Sequence, residues 1–355
     1  MRTISFAGTA KNTGKTTTAL YVVDACHARG LRLALTSIGY DGELKDNVTG
    51  LPKPRYVLQT GDQVATAEKC LKMGTAGYRV VQRTGIHTVL GEILMIEITT
   101  PGLVVLAGPN RSRDLEQVKA HFAQLGVEIL LVDGALNRLV PMICTDGLVL
   151  STGAAFNEDI PSIAAHASAL CKMFNFTTVK KQPMGGGITV HFSGSSQPVL
   201  LATASLLSDA ARGALRQTID RPVESVLIPN ACDPRQLKVL LQEKPELMIA
   251  RWIFGNPLKL IASGSPLDWQ AVWARLSVPP KYIETLPLCC LTVNPFYPVF
   301  EPAAWTYSSG SVNPLALLQA VRRQVHSTPV IDLRQPPVPD MLQILGAAPG
   351  IPAAN

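Results

Sequence analysis

Gly8-Thr9-Ala10-Lys11-Asn12-Thr13-Gly14-Lys15-Thr16-Thr17 follows the apolar run Thr3-Ile4-Ser5-Phe6-Ala7 and opens a helical pattern. A strand, a glycine-bearing turn and a helix start are the context that a phosphate-binding loop needs. Backbone N–H groups and the helix N-terminus point at the anion, a lysine neutralises the β/γ charge, and a hydroxyl holds Mg²⁺. Lys15 is that lysine and Thr16 that hydroxyl, with Asn12, Thr13, Gly14 and Thr17 completing the cradle, so a nucleoside triphosphate with Mg²⁺ is the expected ligand. The pattern G-x-x-x-x-G-K-[ST] asks for glycine at Thr9, and here the glycine sits one place earlier, at Gly8. The competing reading is a glycine turn that binds nothing, and the position at the start of a βα unit weighs against it.

Beyond the loop, residues 16–29 place Ala19, Leu20, Val22, Val23 and Cys26 on one helical face, and Gly30 stops the helix. Residues 31–38 read as a second strand. Thr60-Gly61-Asp62-Gln63 has the form of a capping box and predicts a helix running to Lys72. Strands are expected over 78–82, 93–98, 103–107, 127–132 and 147–151, and helices over 113–125 and 160–174. Val127 to Val132 is apolar on both faces, as in the middle of a parallel sheet. The composition shifts near Phe176, with Gly185-Gly186-Gly187 and frequent prolines. The expected division is therefore a nucleotide-binding domain over 1–178, a second α/β domain over 179–345 and a disordered tail over 346–355. In the second half, helices are expected over 205–219, 234–242, 267–276 and 314–326, and strands over 199–202, 225–228, 258–262, 288–293 and 330–333.

The 355 residues suffice for two domains at about 150 residues each. A 47% hydrophobic fraction, 16% charged residues and 27 each of Gly and Pro describe a globular chain and exclude a disordered or fibrous one. The net charge of +6 is scattered and gives no argument for nucleic acid. No uninterrupted apolar stretch and no charged leader stand out, so neither a membrane span nor a targeting segment is expected, and the cytoplasm is the expected location. The seven cysteines lack C-x-x-C spacing and read as buried reduced thiols. Asp24-Ala25-Cys26-His27-Ala28-Arg29-Gly30 imitates a cobalamin-binding motif with one residue too many and is expected to be helix surface.

Ligands of such folds collect at the carboxyl ends of parallel strands. The second strand closes on Asp41 within Gly39-Tyr40-Asp41-Gly42-Glu43, a candidate for coordinating Mg²⁺ or orienting the attacking water. The apolar run 127–132 ends on Asp133, in the place where an anion sits beside a nucleotide's metal. The catalytic candidates are thus Lys15, Asp41 and Asp133, and the metal candidates Thr16, Asp41 and Asp133. Arg138 is a candidate for a phosphate or partner contact. Glu92 and Glu97 are weighed as general bases against surface glutamates. The loops at 107–110, 151–155 and 229–233 are candidates to line the γ-phosphate, a base or a substrate.

A glycine displaced in this way resembles the branch of P-loop proteins that contains dethiobiotin synthetase and the cobyrinate amidases. The run Lys11 to Thr17 is similar to the accessory GTPases of molybdopterin-guanine dinucleotide synthesis. Taken with Thr36-Ser37-Ile38-Gly39, Asp41-Gly42-Glu43, Val132-Asp133-Gly134-Ala135-Leu136, Arg138, Thr152-Gly153-Ala154-Ala155 and Leu291-Thr292-Val293-Asn294-Pro295-Phe296, most of the chain resembles the reactivase subunits found with lysine 5,6-aminomutase. That resemblance implies a P-loop NTPase fold with a mainly parallel, SIMIBI-like sheet plus a second α/β domain. It implies an ATPase using ATP and Mg²⁺ that, with a MutS-like partner ATPase, restores a cobalamin- and PLP-dependent aminomutase. Partners would be those proteins, not nucleic acid or membrane, and self-association is left open. Two alternatives stand beside it. A dethiobiotin-synthetase-like enzyme would activate a carboxylate with ATP, but the second strand lacks the lysine this needs. A nucleotide-dependent metallocofactor chaperone would share the 11–17 signature.

Overall fold

The computed structural model describes residues 1–41, 55–134, 139–179 and 186–347. The chain divides into two compact units, Met1–Ala164 together with the chain from Pro287 onward, and Ala165–Leu286. This differs from the expected contiguous halves. The second unit is an insertion, and the last part of the chain returns to the first sheet.

In chain order, the first unit opens with β1 (Arg2–Gly8), α1 (Lys15–Ala28), β2 (Leu33–Ser37), β3 (Tyr40–Asp41), β4 (Tyr56–Leu58) and β5 (Gln63–Ala67). It continues through α2 (Glu68–Leu71), β6 (Gly77–Thr88), β7 (Gly91–Thr100), β8 (Gly102–Val104), β9 (Leu106–Ala107), α3 (Ser112–Gln124), β10 (Ile129–Asp133) and β11 (Gly147–Gly153). The division between the units falls inside α4 (Ile160–Met173). The second unit holds β12 (Thr189–Phe192), β13 (Val199–Leu200), α5 (Asp209–Thr218), β14 (Val223–Ile228), α6 (Pro234–Glu243), β15 (Arg251–Phe254), α7 (Pro257–Ser263), α8 (Pro266–Trp273) and β16 (Lys281–Tyr282). The returning segment supplies β17 (Leu288–Asn294), β18 (Phe296–Glu301), β19 (Thr306–Ser311), α9 (Pro314–Gln324), β20 (Val330–Ile331) and α10 (Met341–Ile344).

The first unit is built on a nine-stranded sheet in the order β20-β17-β11-β1-β10-β2-β5-β7-β6. All neighbours from β20 to β5 run parallel, and β7 and β6 close the edge antiparallel. The molecule is therefore α/β with a large, mostly parallel sheet. β10 and β2 are buried along their whole length, which is what apolar residues on both faces of a central parallel strand require. α1 lays Ala19, Val22, Val23 and Cys26 against this sheet, the spacing of a single buried stripe. That core runs through Ile4, Phe6, Leu33, Leu35, Ile129, Leu131 and Val149 to Met341, Leu342 and Leu345 of the chain end. Removing a side chain such as Leu131 from it should cost about 2–5 kcal/mol.

The second unit has its own five-stranded sheet, β13-β12-β14-β15-β16, parallel from β14 to β16. Its core is aromatic: Trp269 and Trp273 stack with ring centroids 4.7 Å apart, and Phe254 meets both rings at 5.8 and 5.5 Å.

Two expected elements change type. Residues 63–67 form β5, not a helix, because they pair between β2 and β7, and the Thr60 hydroxyl donates to the Thr99 carbonyl (3.3 Å) instead of capping a helix. Only α2 remains helical there. Residues 258–262 belong to helix α7, because Asn256 Oδ1 accepts the Lys259 N–H at 3.0 Å and Pro257 occupies the first turn. The imitation cobalamin motif lies in α1 but is not all surface: Cys26 is core, and His27 Nε2 reaches both Asp62 carboxylate oxygens at 2.9 and 3.0 Å. Of the expected tail, residues 348–355 lie outside the described residues.

Candidate functional site

β1 sits between β10 and β11 in the middle of the sheet, so the loop that leaves it, residues 9–14, lies at the carboxyl ends of several parallel strands at once. The loop is tied down on one side. Thr9 N–H donates to the Ser151 carbonyl (2.9 Å) and Thr9 Oγ1 to Thr152 Oγ1 (2.9 Å), both at the end of β11. This accounts for threonine at position 9. The displaced Gly8 has its own reason, since a Cβ there would stand 2.5 Å from Thr13 Oγ1 and 3.1 Å from the Ala10 carbonyl. The loop folds back over Gly8, and Thr13 Oγ1 holds that fold by donating to the Ala10 carbonyl at 2.9 Å.

Two residues of the loop are left-handed, Asn12 at φ 63 and Gly14 at φ 94. Alternation of this kind turns successive N–H groups toward one concave face. Among the described residues, none accepts a hydrogen bond from the backbone N–H of Asn12, Thr13, Gly14, Thr16 or Thr17. Gly14 caps α1 without a side chain, so the Thr16 and Thr17 amides of its first turn stay open.

Lys15, at the first position of α1, pairs its ammonium with the Asp133 carboxylate at the end of β10. The parallel register Phe6↔Asp133↔Ser37 sets that carboxylate beside the root of the loop, and Asp133 is only 3% exposed. The sequence assigns both residues to one site, Lys15 to the phosphates and Asp133 to the metal, and the fold brings them together across 118 positions. Thr16 is half-buried and Thr17 exposed in the same first turn.

Asp41 ends β3, which pairs with Leu106–Ala107 of β9, and its side chain is outside the described part, as are Gly42, Glu43 and Ala135 to Arg138. Glu92 and Glu97 are not at this site. They lie on the β6–β7 edge, paired with Arg83 (2.6 Å) and Arg79 (2.9 Å). The Glu92 carboxyl is held below its usual range, first by the Gly85 N–H, which does not suit a general base near neutrality. Gly108 packs on the end of β2, its N–H donating to Ser37 Oγ at 3.0 Å, while Asn110 is exposed. The 229–233 loop belongs to the second unit.

Four contacts escaped sequence reasoning. Beneath the loop, Thr18 Oγ1 meets the Gly14 carbonyl and Thr292 Oγ1, both at 3.0 Å, and Thr292 Oγ1 meets Ser151 Oγ at 2.8 Å. This buried hydroxyl cluster joins α1, β11 and β17. Thr16-Thr17-Thr18 follow the lysine as a run, and only tertiary pairing shows that the third one points down into the sheet. Beside the loop, Asn294 at the end of β17 donates to the Asn12 carbonyl at 3.1 Å.

Comparison with protein-family models, with curated proteins and with solved structures finds no match to this chain. Among the described residues, no group of His, Cys, Asp and Glu forms a cluster able to hold a metal ion, and no helix is long and apolar enough to cross a membrane.

Proposed function

We propose that residues 8–17 bind the phosphates of Mg-ATP and that the protein is a P-loop ATPase. The observation that carries this reading is the set of open amides of Asn12, Thr13, Gly14, Thr16 and Thr17 in the turn around Lys15, whose ammonium pairs with Asp133. A loop that needs glycine at position 8, bends twice through left-handed φ and leaves an uncapped helix start fits the polyphosphate of a nucleotide. In this reading the amides cradle the phosphates and Lys15 leaves Asp133 for the β/γ-phosphates. Thr16 and Asp133 would hold Mg²⁺ directly or through water, with Asp41 joining them. Bound Mg²⁺ would neutralise charge on the transferred phosphoryl group. The test is thermal melting with and without Mg-ATP, for the parent and for Lys15→Ala. A hundredfold excess over Kd should stabilise the parent by about 2.7 kcal/mol. An absent shift, or an equal one in Lys15→Ala, ends this reading.

The use of hydrolysis follows the resemblance: the chain serves as the ATPase subunit that, with a MutS-like partner, reactivates a cobalamin-dependent lysine 5,6-aminomutase. Its support is the set of matching runs, together with the end of β2. There the Thr36 and Ser37 hydroxyls are spent on the Ala65 and Gly39 carbonyls, at 2.9 and 2.6 Å, and no basic side chain stands in 36–39 to take a substrate carboxylate. Mixing the chain with the partner, inactivated mutase, Mg-ATP and fresh adenosylcobalamin should restore mutase activity with the parent and not with Lys15→Ala. ATP-dependent conversion of a small carboxylate by this chain alone would replace the reading with a synthetase.

A further inference from the structure

Asn294 ends β17, in register with Gly153 of β11, and stands against the phosphate loop from a part of the chain 282 positions away. Its side chain is fixed at both ends. Oδ1 accepts the Phe296 N–H at 3.3 Å, and Nδ2 donates to the Asn12 carbonyl at 3.1 Å. Its backbone is fixed too, the carbonyl accepting the Ala154 N–H at 3.0 Å. A Cβ added to Gly14 would lie 3.4 Å from the Asn294 side chain, so the asparagine packs along the loop as well as bonding to it.

The peptide it grips is the one most in need of restraint. Asn12 is a non-glycine residue at φ 63, a conformation that costs roughly 1 kcal/mol or more and persists only where neighbours enforce it. In a trans peptide the C=O and the following N–H point in opposite directions. An Asn12 carbonyl turned out to Asn294 therefore turns the Thr13 N–H inward, and that N–H has no acceptor among the described residues. If the peptide turned over, a carbonyl oxygen would face the phosphates in place of a donor.

We propose that Asn294 is a positioning residue of the nucleotide site, holding the Asn12–Thr13 peptide with its carbonyl outward and its N–H toward the phosphates. This rests on the nucleotide reading above. It assigns to the segment after the inserted unit a role in phosphate binding that is exerted through the loop.

The test measures Kd for Mg-ATP and for AMP, which lacks the β- and γ-phosphates, together with melting without nucleotide. The variants are Asn294→Ala and the near-isosteric Asn294→Asp, which keeps the shape and loses the donor. The expected result is a loss of about tenfold in Mg-ATP affinity for Asn294→Ala, equivalent to about 1.4 kcal/mol. Asn294→Asp should lose at least as much, because a carboxylate would repel both the Asn12 carbonyl and the phosphates. AMP affinity should change less than twofold and melting without nucleotide little. Parent-like Mg-ATP affinity in both variants overturns the proposal while leaving the nucleotide reading intact. Equal losses for Mg-ATP and AMP with lowered melting overturn it in favour of general support of the fold. Absence of Mg-ATP binding by the parent itself would instead remove the reading on which it rests.

Discussion

The helix starts of the second unit and the start of α1 in the first treat their backbone donors in opposite ways. In the second unit the helices α5, α6, α7 and α8 begin under Ser208, Asp233, Asn256 and Ser265, whose side chains take the first free amides. The Lys259 ammonium, its pKa lowered by burial, is spent on the Pro229 carbonyl (2.8 Å) and Asn230 Oδ1 (3.1 Å), and Asp233 pairs with Arg235 at 2.9 Å. These loops are closed by their own residues. In the first unit, α9 and α10 are likewise capped, by Asn313 and Asp340, but α1 starts at a bare glycine with its Thr16 and Thr17 amides open, in the turn that holds the Lys15–Asp133 pair. A capped helix end stabilises the fold by about 1 kcal/mol, and an uncapped one keeps the same donors for something else.

Filling the loop should have the largest effect. In Gly8→Val the new side chain meets Thr13 Oγ1 and the Ala10 carbonyl, so Mg-ATP should no longer raise the melting temperature and affinity should fall by at least ~100-fold, while overpacking costs about 1–3 kcal/mol. Retained affinity would show that the loop need not fold back over position 8. Asp133→Asn should lower ATP turnover by at least ~100-fold with a smaller loss of binding, the scale expected of a group that places a metal or positions charge. Turnover like the parent's would detach Asp133 from the site.

Asp233→Ala sharpens the comparison from the other side. Loss of this cap should cost about 1 kcal/mol in denaturant melts and leave the Mg-ATP Kd unchanged. A nucleotide defect of Lys15→Ala size would erase the distinction between the units. Hydrogen bonding from Arg235 holds the Asp233 carboxyl below its usual range. The stability it adds is therefore present above the unfolded carboxyl value near ~3.9 and is lost as pH falls below it. The parent and Asp233→Ala melts should converge toward pH 3. The smallest effect is one of rate. Cys26, its thiol pushed up to about 12 mainly by burial, and the fully buried Cys232 and Cys290 should alkylate after the half-buried Cys144 and Cys289, as read by peptide mapping.

Local chemistry made the loop, α1 and the central strands legible, because Gly14-Lys15-Thr16, the α1 stripe and the apolar run ending in Asp133 each declare themselves within about ten residues. What escaped depends on partners distant in sequence. Residues 63–67 are a strand because β2 and β7 flank them, and the capping-box pattern at Thr60 cannot register that. α7 escaped because Leu258 to Ala262 is apolar enough to pass for a buried strand, although Asn256-Pro257 carries the helix start. The insertion of the second unit was invisible because nothing in the composition at Pro287 says that the next strand rejoins β11. Lys15 and Asp133 were legible as members of one site, whereas Thr292 and Asn294 were not, since only the order of strands sets them beside residues 12–18.

That order of strands has a consequence for the chain as it is synthesised. β1, β10 and β11 leave the ribosome early, but β17 follows only after the whole inserted unit, and α10, with Met341 and Leu342 in the same core as Val22 and Cys26, comes last. At roughly 5–20 residues per second over the 282 positions to Asn294, the nascent loop spends tens of seconds, roughly 14–56, without Thr292 and Asn294. A growing polypeptide therefore carries its lysine and aspartate long before it owns the strand that steadies residue 12. On the proposed reading, nucleotide capture would wait for β17, and a chain translated only as far as Leu286 would lack the Asn294 contact to the loop.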